Sequence, residues 1–384
     1  MEKSSGNSEK SLKTDNILSD AEELREKALY TQSLSLFKRA LQRCTKMHDL
    51  EGTYHCLHAS GDLYRMTGNF DLAVKSYMKA MEVARENNAS AKVADAAVGL
   101  GLSFRAQGKW KEAIKLIGES GRIYEKNHDT PGIAFTLWAE AGALRIKGDI
   151  AGAIRTFRES FKIFKALKDT QGIGYCLCGI GGASRMAGRF RDSLKYYTAA
   201  NRLFASSGDI FGKAYSCCGI GNAHRMLGEY KKAFAYFTKA SGLYETIGDK
   251  VSYAYTLWGL GTAYKMTGDY KKARGHFLLA KKFFEKTKDP RGIIYCELGF
   301  GEIALLEGKK AVAERLLSAA LKGSSENDFA LEKCHARSLI SFMDNLGHPP
   351  GRGRKRGLSG EGNDTCYKRL GVRLGFRTLP LNIP

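Results

Sequence analysis

One column of side chains is able to do chemistry. Arginine recurs every forty residues at Arg25, Arg65, Arg105, Arg145, Arg185 and Arg225, followed by Lys265 and closed by Leu305. A guanidinium is a planar, permanently charged fork that holds carboxylate or phosphate through two parallel hydrogen bonds, so a column of them offers docking points along an extended anionic ligand. Each of these residues also stands three before a regularly spaced position that is glycine from Gly68 onward. In the last turn of a helix a cation is worth about 0.3–1 kcal/mol against the free carbonyls and the dipole. Lysine would serve a helix end equally well, and the preference for Arg argues for bidentate contact. Both readings stay open.

Other chemistries lack their residues. The eight His are scattered, and no nucleophile elbow, zinc-protease or P-loop pattern occurs. The strings at 179–184 (GIGGAS) and 219–224 (GIGNAH) resemble dinucleotide fingerprints only as text, because they fall inside helical spacing rather than after a strand. Nine cysteines are dispersed, Cys178 and Cys218 at equivalent sites, without the C-x-x-C spacing of zinc ligands. Reduced thiols in helix interfaces are expected, with no disulfide scaffold, metal, cofactor or enzymatic activity.

The elements that carry the column follow from the same period. The turn glycine recurs at Gly68, Gly108, Gly148, Gly188, Gly228, Gly268 and Gly308. Before it, apolar and small residues such as Tyr255, Leu257, Leu260, Gly261 and Tyr264 form one helical stripe; after it, Tyr270, Ala273, Phe277, Ala280 and Phe284 form another. Glycine supplies the left-handed cap between the two helices. Asp49, Asp129, Asp169, Asp209, Asp249 and Asp289 mark the next boundary as helix N-caps, Pro290 fitting a first helical position.

The pattern Leu260-Gly261-Thr262-Ala263-Tyr264, then Ala273, Phe277 and Ala280, resembles the tetratricopeptide repeat, and every row from 50 to 321 carries most of it. The forty-residue period is similar to the longer variety found in kinesin light chain and in Gα-binding polarity adaptors. The Trp usual at the fourth position is Leu57, Ala97, Leu137, Leu177, Cys217, Leu257 or Glu297, and the closing Pro is absent. The resemblance implies an all-α, right-handed superhelical solenoid of about eight helix pairs with a C-terminal capping helix. The expected layout is a disordered stretch over 1–13, the repeat array over 14–323, the capping helix over 324–346 and a basic disordered tail over 347–384.

The resemblance also turns particular positions into a concave groove. These are Arg65, Arg105, Arg145, Arg185, Arg225 and Lys265, with Tyr175, Tyr215, Tyr255, Trp138, Trp258, Met186 and Met226 beside them. Such a surface holds varied peptides by shape. The tyrosines have a rival role, joining one repeat to the next.

Charge bounds the partners. The chain carries 61 Lys and Arg against 40 Asp and Glu, a formal +21; +6 lies on residues 346–384 and −1 on 1–20, leaving +16 on the body. Such a field attracts acidic proteins or nucleic acid without choosing between them. Nucleic acid held by a uniform Arg column would be bound without sequence preference and in a salt-dependent way. No run of about 18 apolar residues is present, and a cytoplasmic location is expected. The leading expectation is a non-catalytic scaffold or adaptor that binds an acidic or extended peptide. Non-specific nucleic-acid binding and peptide-sensing regulation are the alternatives.

Overall fold

The computed structural model describes residues 2–346, 366–372 and 381–383. The first segment is a run of helices, α1 (Glu2–Glu26), α2 (Tyr30–Lys46), α3 (Leu50–Met66), α4 (Phe70–Glu86), α5 (Ser90–Ala106), α6 (Trp110–Lys126), α7 (Thr130–Lys147), α8 (Ile150–Ala166) and α9 (Thr170–Met186). It continues through α10 (Phe190–Ser207), α11 (Ile210–Met226), α12 (Tyr230–Ile247), α13 (Lys250–Met266), α14 (Tyr270–Thr287), α15 (Pro290–Leu306), α16 (Lys310–Glu326) and α17 (Ala330–Leu346). Consecutive helices pack as antiparallel pairs, eight pairs followed by α17, and no strand occurs among the described residues. None of the described helices is long and apolar enough to cross a membrane.

The joints have the chemistry read from the text. The carboxylates of Asp49, Asp129, Asp169, Asp209 and Asp289 accept from the amides of Gly52, Gly132, Gly172, Gly212 and Gly292 at 2.7–3.0 Å, and Asp249 accepts from Val251 and Ser252. Between the helices of a pair, Gly108 sits at φ 80°, a conformation that a Cβ would strain. Pairs are cemented by buried large side chains on the second helices. Tyr77 lies against Gly61 and Gly99, Tyr197 against Gly181 and Gly219, and Phe277 against Gly261 and Gly299. A glycine on each neighbouring first helix makes room for the ring, which explains the column of small residues seven before the turn.

The solenoid closes on itself, which the repeat pattern does not announce. Trp110 Nε1 donates to the carbonyl of Asn327 at 3.2 Å, Lys288 Nζ reaches Asp71 Oδ2 at 2.6 Å, and Lys111 pairs with Asp328. Each pair is 217 residues apart, about five and a half repeats, so one superhelical turn rests on the next. The turn at Gly68 abuts Thr287 and Val251, the turn at Gly108 abuts Pro290 and Phe329, and that at Gly148 abuts Ala330. At the beginning of the array, Ala21, Phe37 and Leu63 share an apolar cluster with Ala214, Tyr244 and Ile247. The expected open concave groove is therefore a lumen enclosed by stacked turns.

Three further expectations are corrected. Helix α1 begins at Glu2, within the stretch expected to lack structure. Two parts of the expected disordered tail are packed on the body: 366–369 forms a helical turn whose Tyr367 and Val372 join a cluster with Ile150, Phe157 and Leu331, and Ile383 joins the cluster of Trp258 and Leu339. The rest of the tail, 347–365, 373–380 and 384, lies outside the described residues. Cys334 and Cys366 form a disulfide between α17 and that turn, where only thiols were expected. Periodicity cannot show this bond, because Cys366 lies outside the repeats and reaches Cys334 only once the tail has folded back.

Candidate functional site

The arginines of the column stand at the ends of the first helices of successive pairs, and they do not cap their own helices. The carbonyls there are already satisfied by the backbone: Gly108 N donates to Arg105 O at 3.1 Å and Lys109 N to Phe104 O at 2.9 Å. The guanidinium groups of Arg105 and Arg145 instead reach forward to the next first helix. Arg105 Nη1 donates to the carbonyl of Ala139 at 3.3 Å while its plane lies 5.5 Å from the Trp138 ring. The notches that receive these groups are glycines. A methyl group at Gly142 would collide with Arg105 Nη1, and one at Gly182 with Arg145 Nη1.

What faces each rung, 37 residues on, sets its electrostatics. That column reads Asp62, Leu102, Gly142, Gly182, Asn222, Thr262 and Glu302. Carboxylates occur only at its ends. Arg25 pairs with Glu22 at 2.7 Å and lies 3.9 Å from Asp62, Arg65 pairs with Asp62 at 3.3 Å, and Lys265 pairs with Glu302. Among the described residues no carboxylate stands within ion-pair distance of Arg105, Arg145, Arg185 or Arg225, and the buried Nε of Arg145 and of Arg185 has no hydrogen-bond partner.

Arg105, Arg145 and Arg185 together line a cavity of about 290 Å³. Burial, then the charges of Arg145 and Arg65, push Arg105 down from 12.5 to about 10. Burial, then Arg185, push Arg225 to about 9. Both groups stay charged at neutral pH, each desolvated and repelled by a like neighbour, a state that an anion in the cavity would relieve at Arg105, which lines it. The lining carboxylate, Asp289, is engaged elsewhere: it accepts from Tyr255 Oη at 2.8 Å and from Gly292 N at 3.0 Å.

The remaining sequence-selected residues divide by position. Tyr215, Tyr255, Trp258 and Met186 line the same cavity. Tyr255, like Tyr175, also bonds the cap aspartate of the following repeat, Tyr175 Oη reaching Asp209 at 3.0 Å. Tyr175 faces a neighbouring hollow, and Trp138 lies beneath Arg105, its Nε1 donating to Tyr175 O at 3.4 Å. Met226 is half-buried and does not line the cavity, and Arg65 lies beyond it with Asp62. Trp258 supports Arg225 at 5.1 Å and donates to Tyr295 O at 3.1 Å.

Several participants escaped the reading of the text. Glu302, His335 and Tyr367 form a buried polar chain behind Lys265, His335 Nε2 lying 2.8 Å from Glu302 Oε1 and Nδ1 2.6 Å from Tyr367 Oη. The column 37 residues after the arginines carried a legible signal for Glu302; nothing local signals Tyr367. Burial pushes the Cys178 thiol up, as it does that of Cys218, and no group of His, Cys, Asp or Glu suited to a metal occurs among the described residues.

Paired helices of constant length, stacked in register around a polar lumen, define an α-solenoid repeat protein. A family model described as tetratricopeptide repeat matches residues 21–86 and 211–286. Over those two stretches the chain carries tetratricopeptide repeats. It is similar in fold to the Rap conjugation gene regulator of plasmid pLS20 solved with the Phr* peptide, with TM-score 0.62 and 12% identity over 88% of this chain and 98% of that one. A Rap protein complexed with competence and sporulation factor gives TM-score 0.55 and 15% identity over 88% and 98%. Aspartyl phosphate phosphatase F from Bacillus subtilis gives 0.50 and 13% over 89% and 97%. At these identities the likeness is one of fold. No curated protein sequence matches the chain.

Proposed function

We propose that the protein is a non-catalytic adaptor whose lumen takes an acidic or extended segment of another protein against Arg105, Arg145 and Arg185. The observation that carries this reading is the cavity itself: besides Arg291, which is paired with Glu332, three arginines of the column line it, and no carboxylate among the described residues pairs with those three. A half-buried cation without a counter-ion is costly, and a ligand carboxylate or phosphate would complete the arrangement with charge-assisted hydrogen bonds. Tyr215, Trp258 and Met186 supply apolar walls, the composition by which peptide grooves hold an anchor. The fold neighbour solved with the Phr* peptide adds support by analogy.

The test is a nuclease-treated pull-down from native extract with the wild type and with the variant Arg105→Met, Arg145→Met, Arg185→Met. Proteins carrying acidic segments are expected to be lost from the variant while far-UV circular dichroism stays unchanged. Equal recovery by both baits would dispose of the lumen as the binding surface.

A further inference from the structure

Beyond Arg185 the column of cations continues to Arg225 and Lys265, and there the lumen is occupied by the chain itself. Arg225 Nη2 donates to the carbonyl of Ile383 at 3.3 Å, Arg225 Nη1 to Asn382 Oδ1, and Lys265 Nζ to the carbonyl of Leu381. Two successive rungs thus hold two main-chain carbonyls and one side-chain amide of three consecutive residues. The clamp is braced independently of its occupant. Arg225 stacks on Trp258 and donates through Nε to Asn222 at 3.2 Å, and Lys265 is paired with Glu302. Arg225 is 0% exposed and Ile383 2% exposed, so the contact excludes water on both sides.

The occupant is tethered. The disulfide Cys334–Cys366 and the bond between Tyr367 and His335 fix the turn at 366–372 beside α17. Eight residues of chain then separate Val372 from Leu381, a link that keeps the segment at an effective concentration in the millimolar range.

Resting on the adaptor reading, we infer that the Arg225–Lys265 end of the lumen is a second peptide subsite. It takes a short extended segment with a side-chain amide followed by a β-branched aliphatic residue. Leu381–Ile383 is its resident occupant, which an incoming peptide displaces. The subsite differs in kind from the cavity beside it: the cavity answers to negative charge, and this end answers to peptide carbonyls and an aliphatic anchor. A ligand long enough to span both must therefore compete with the segment of this chain.

The test is fluorescence anisotropy on the full chain with two labelled probes, the peptide of residues 378–384 (TLPLNIP) and hexaglutamate. Asn382→Ala and, separately, Ile383→Asp empty the subsite; the first is mild enough to leave folding intact if the second does not. Both are expected to bind the TLPLNIP probe about tenfold or more tighter than the wild type, and adding Arg225→Met to Asn382→Ala is expected to abolish that binding. Equal affinity in wild type and variants, or indifference to Arg225, overturns the inference. Hexaglutamate separates the two readings. If it binds in a manner dependent on Arg105 while TLPLNIP fails, the subsite is refuted and the adaptor reading stands. If TLPLNIP binds as expected while hexaglutamate does not bind, the subsite stands and the acidic-ligand reading falls.

Discussion

Replacing Arg105 by methionine decides between a ligand-binding rung and a helix-end cation by the sign of a stability change. Methionine keeps much of the stem and removes the charge. A base brought from 12.5 to about 10 has its charged form disfavoured in the folded state by about 3 kcal/mol at 1.36 kcal/mol per pKa unit, and the substitution recovers this. Against it stand the stack on Trp138, about 1 kcal/mol, and the long bond to Ala139 O, about 1 kcal/mol. The net expectation is a protein about 1 kcal/mol more stable, read as a higher urea midpoint by far-UV circular dichroism. A helix-end role makes the variant less stable by about 0.3–1 kcal/mol. The second reading of the same experiment is sulfate against chloride at equal ionic strength. Sulfate at ten times its Kd stabilises a protein with one site by about 1.4 kcal/mol, and that increment is expected in the wild type and much reduced in Arg105→Met. A lower urea midpoint together with an unchanged sulfate increment would refute the reasoning.

Four other perturbations follow from the geometry. Gly142→Ala places a methyl where Arg105 Nη1 now sits; because only the end of a flexible side chain is in the way and alanine favours the helix, stability is expected to hold or rise by up to about 1 kcal/mol while the sulfate increment falls. Gly99→Ala, whose methyl would strike the buried Tyr77 ring, is the control and is expected to cost about 1–3 kcal/mol, so equal midpoints for the two variants would contradict the packing described. Burial alone would raise Glu302, but Lys265 and then His335 hold it below 4.5. Its contribution to stability is therefore complete above about pH 4.5 and lost as the pH falls through its lower folded value. Glu302→Gln is expected to cost about 3 kcal/mol at pH 7, with the gap from wild type closing below pH 4.5 in urea titrations; a gap that does not change with pH would refute the assignment. Trp110→Ala removes the contact with Asn327 between superhelical turns, and small-angle scattering is expected to show a larger radius of gyration at unchanged helicity, whereas an identical scattering curve would mean that the other contacts close the lumen without it.

The helix pairs were legible because they rest on local chemistry. Turn glycines, cap aspartates and the stripes on Tyr255 to Tyr264 and Tyr270 to Phe284 act over four residues or fewer, and they recur every forty, so each repeat corroborates the others. The arginine column was visible for the same reason. Its electrostatic division was half visible: the partner column 37 residues on, from Asp62 through Gly142 and Gly182 to Glu302, is in the text, but only the stacking of adjacent first helices shows that the two columns face each other.

Tertiary structure alone decided the rest. A small rotation per repeat accumulates until Trp110 meets Asn327, 217 residues away, and turns a groove into a lumen; no local pattern encodes the sum of many small angles. The disulfide of Cys366 and the seating of Leu381–Ile383 on Arg225 and Lys265 depend on that lumen, because isolated carbonyls and one aliphatic side chain become a ligand only where buried donors are already arranged to receive them. The amino-acid sequence by itself determined what each repeat is and which charge it presents. The superhelix determined which of those charges are left without a partner, and where the chain supplies one of its own.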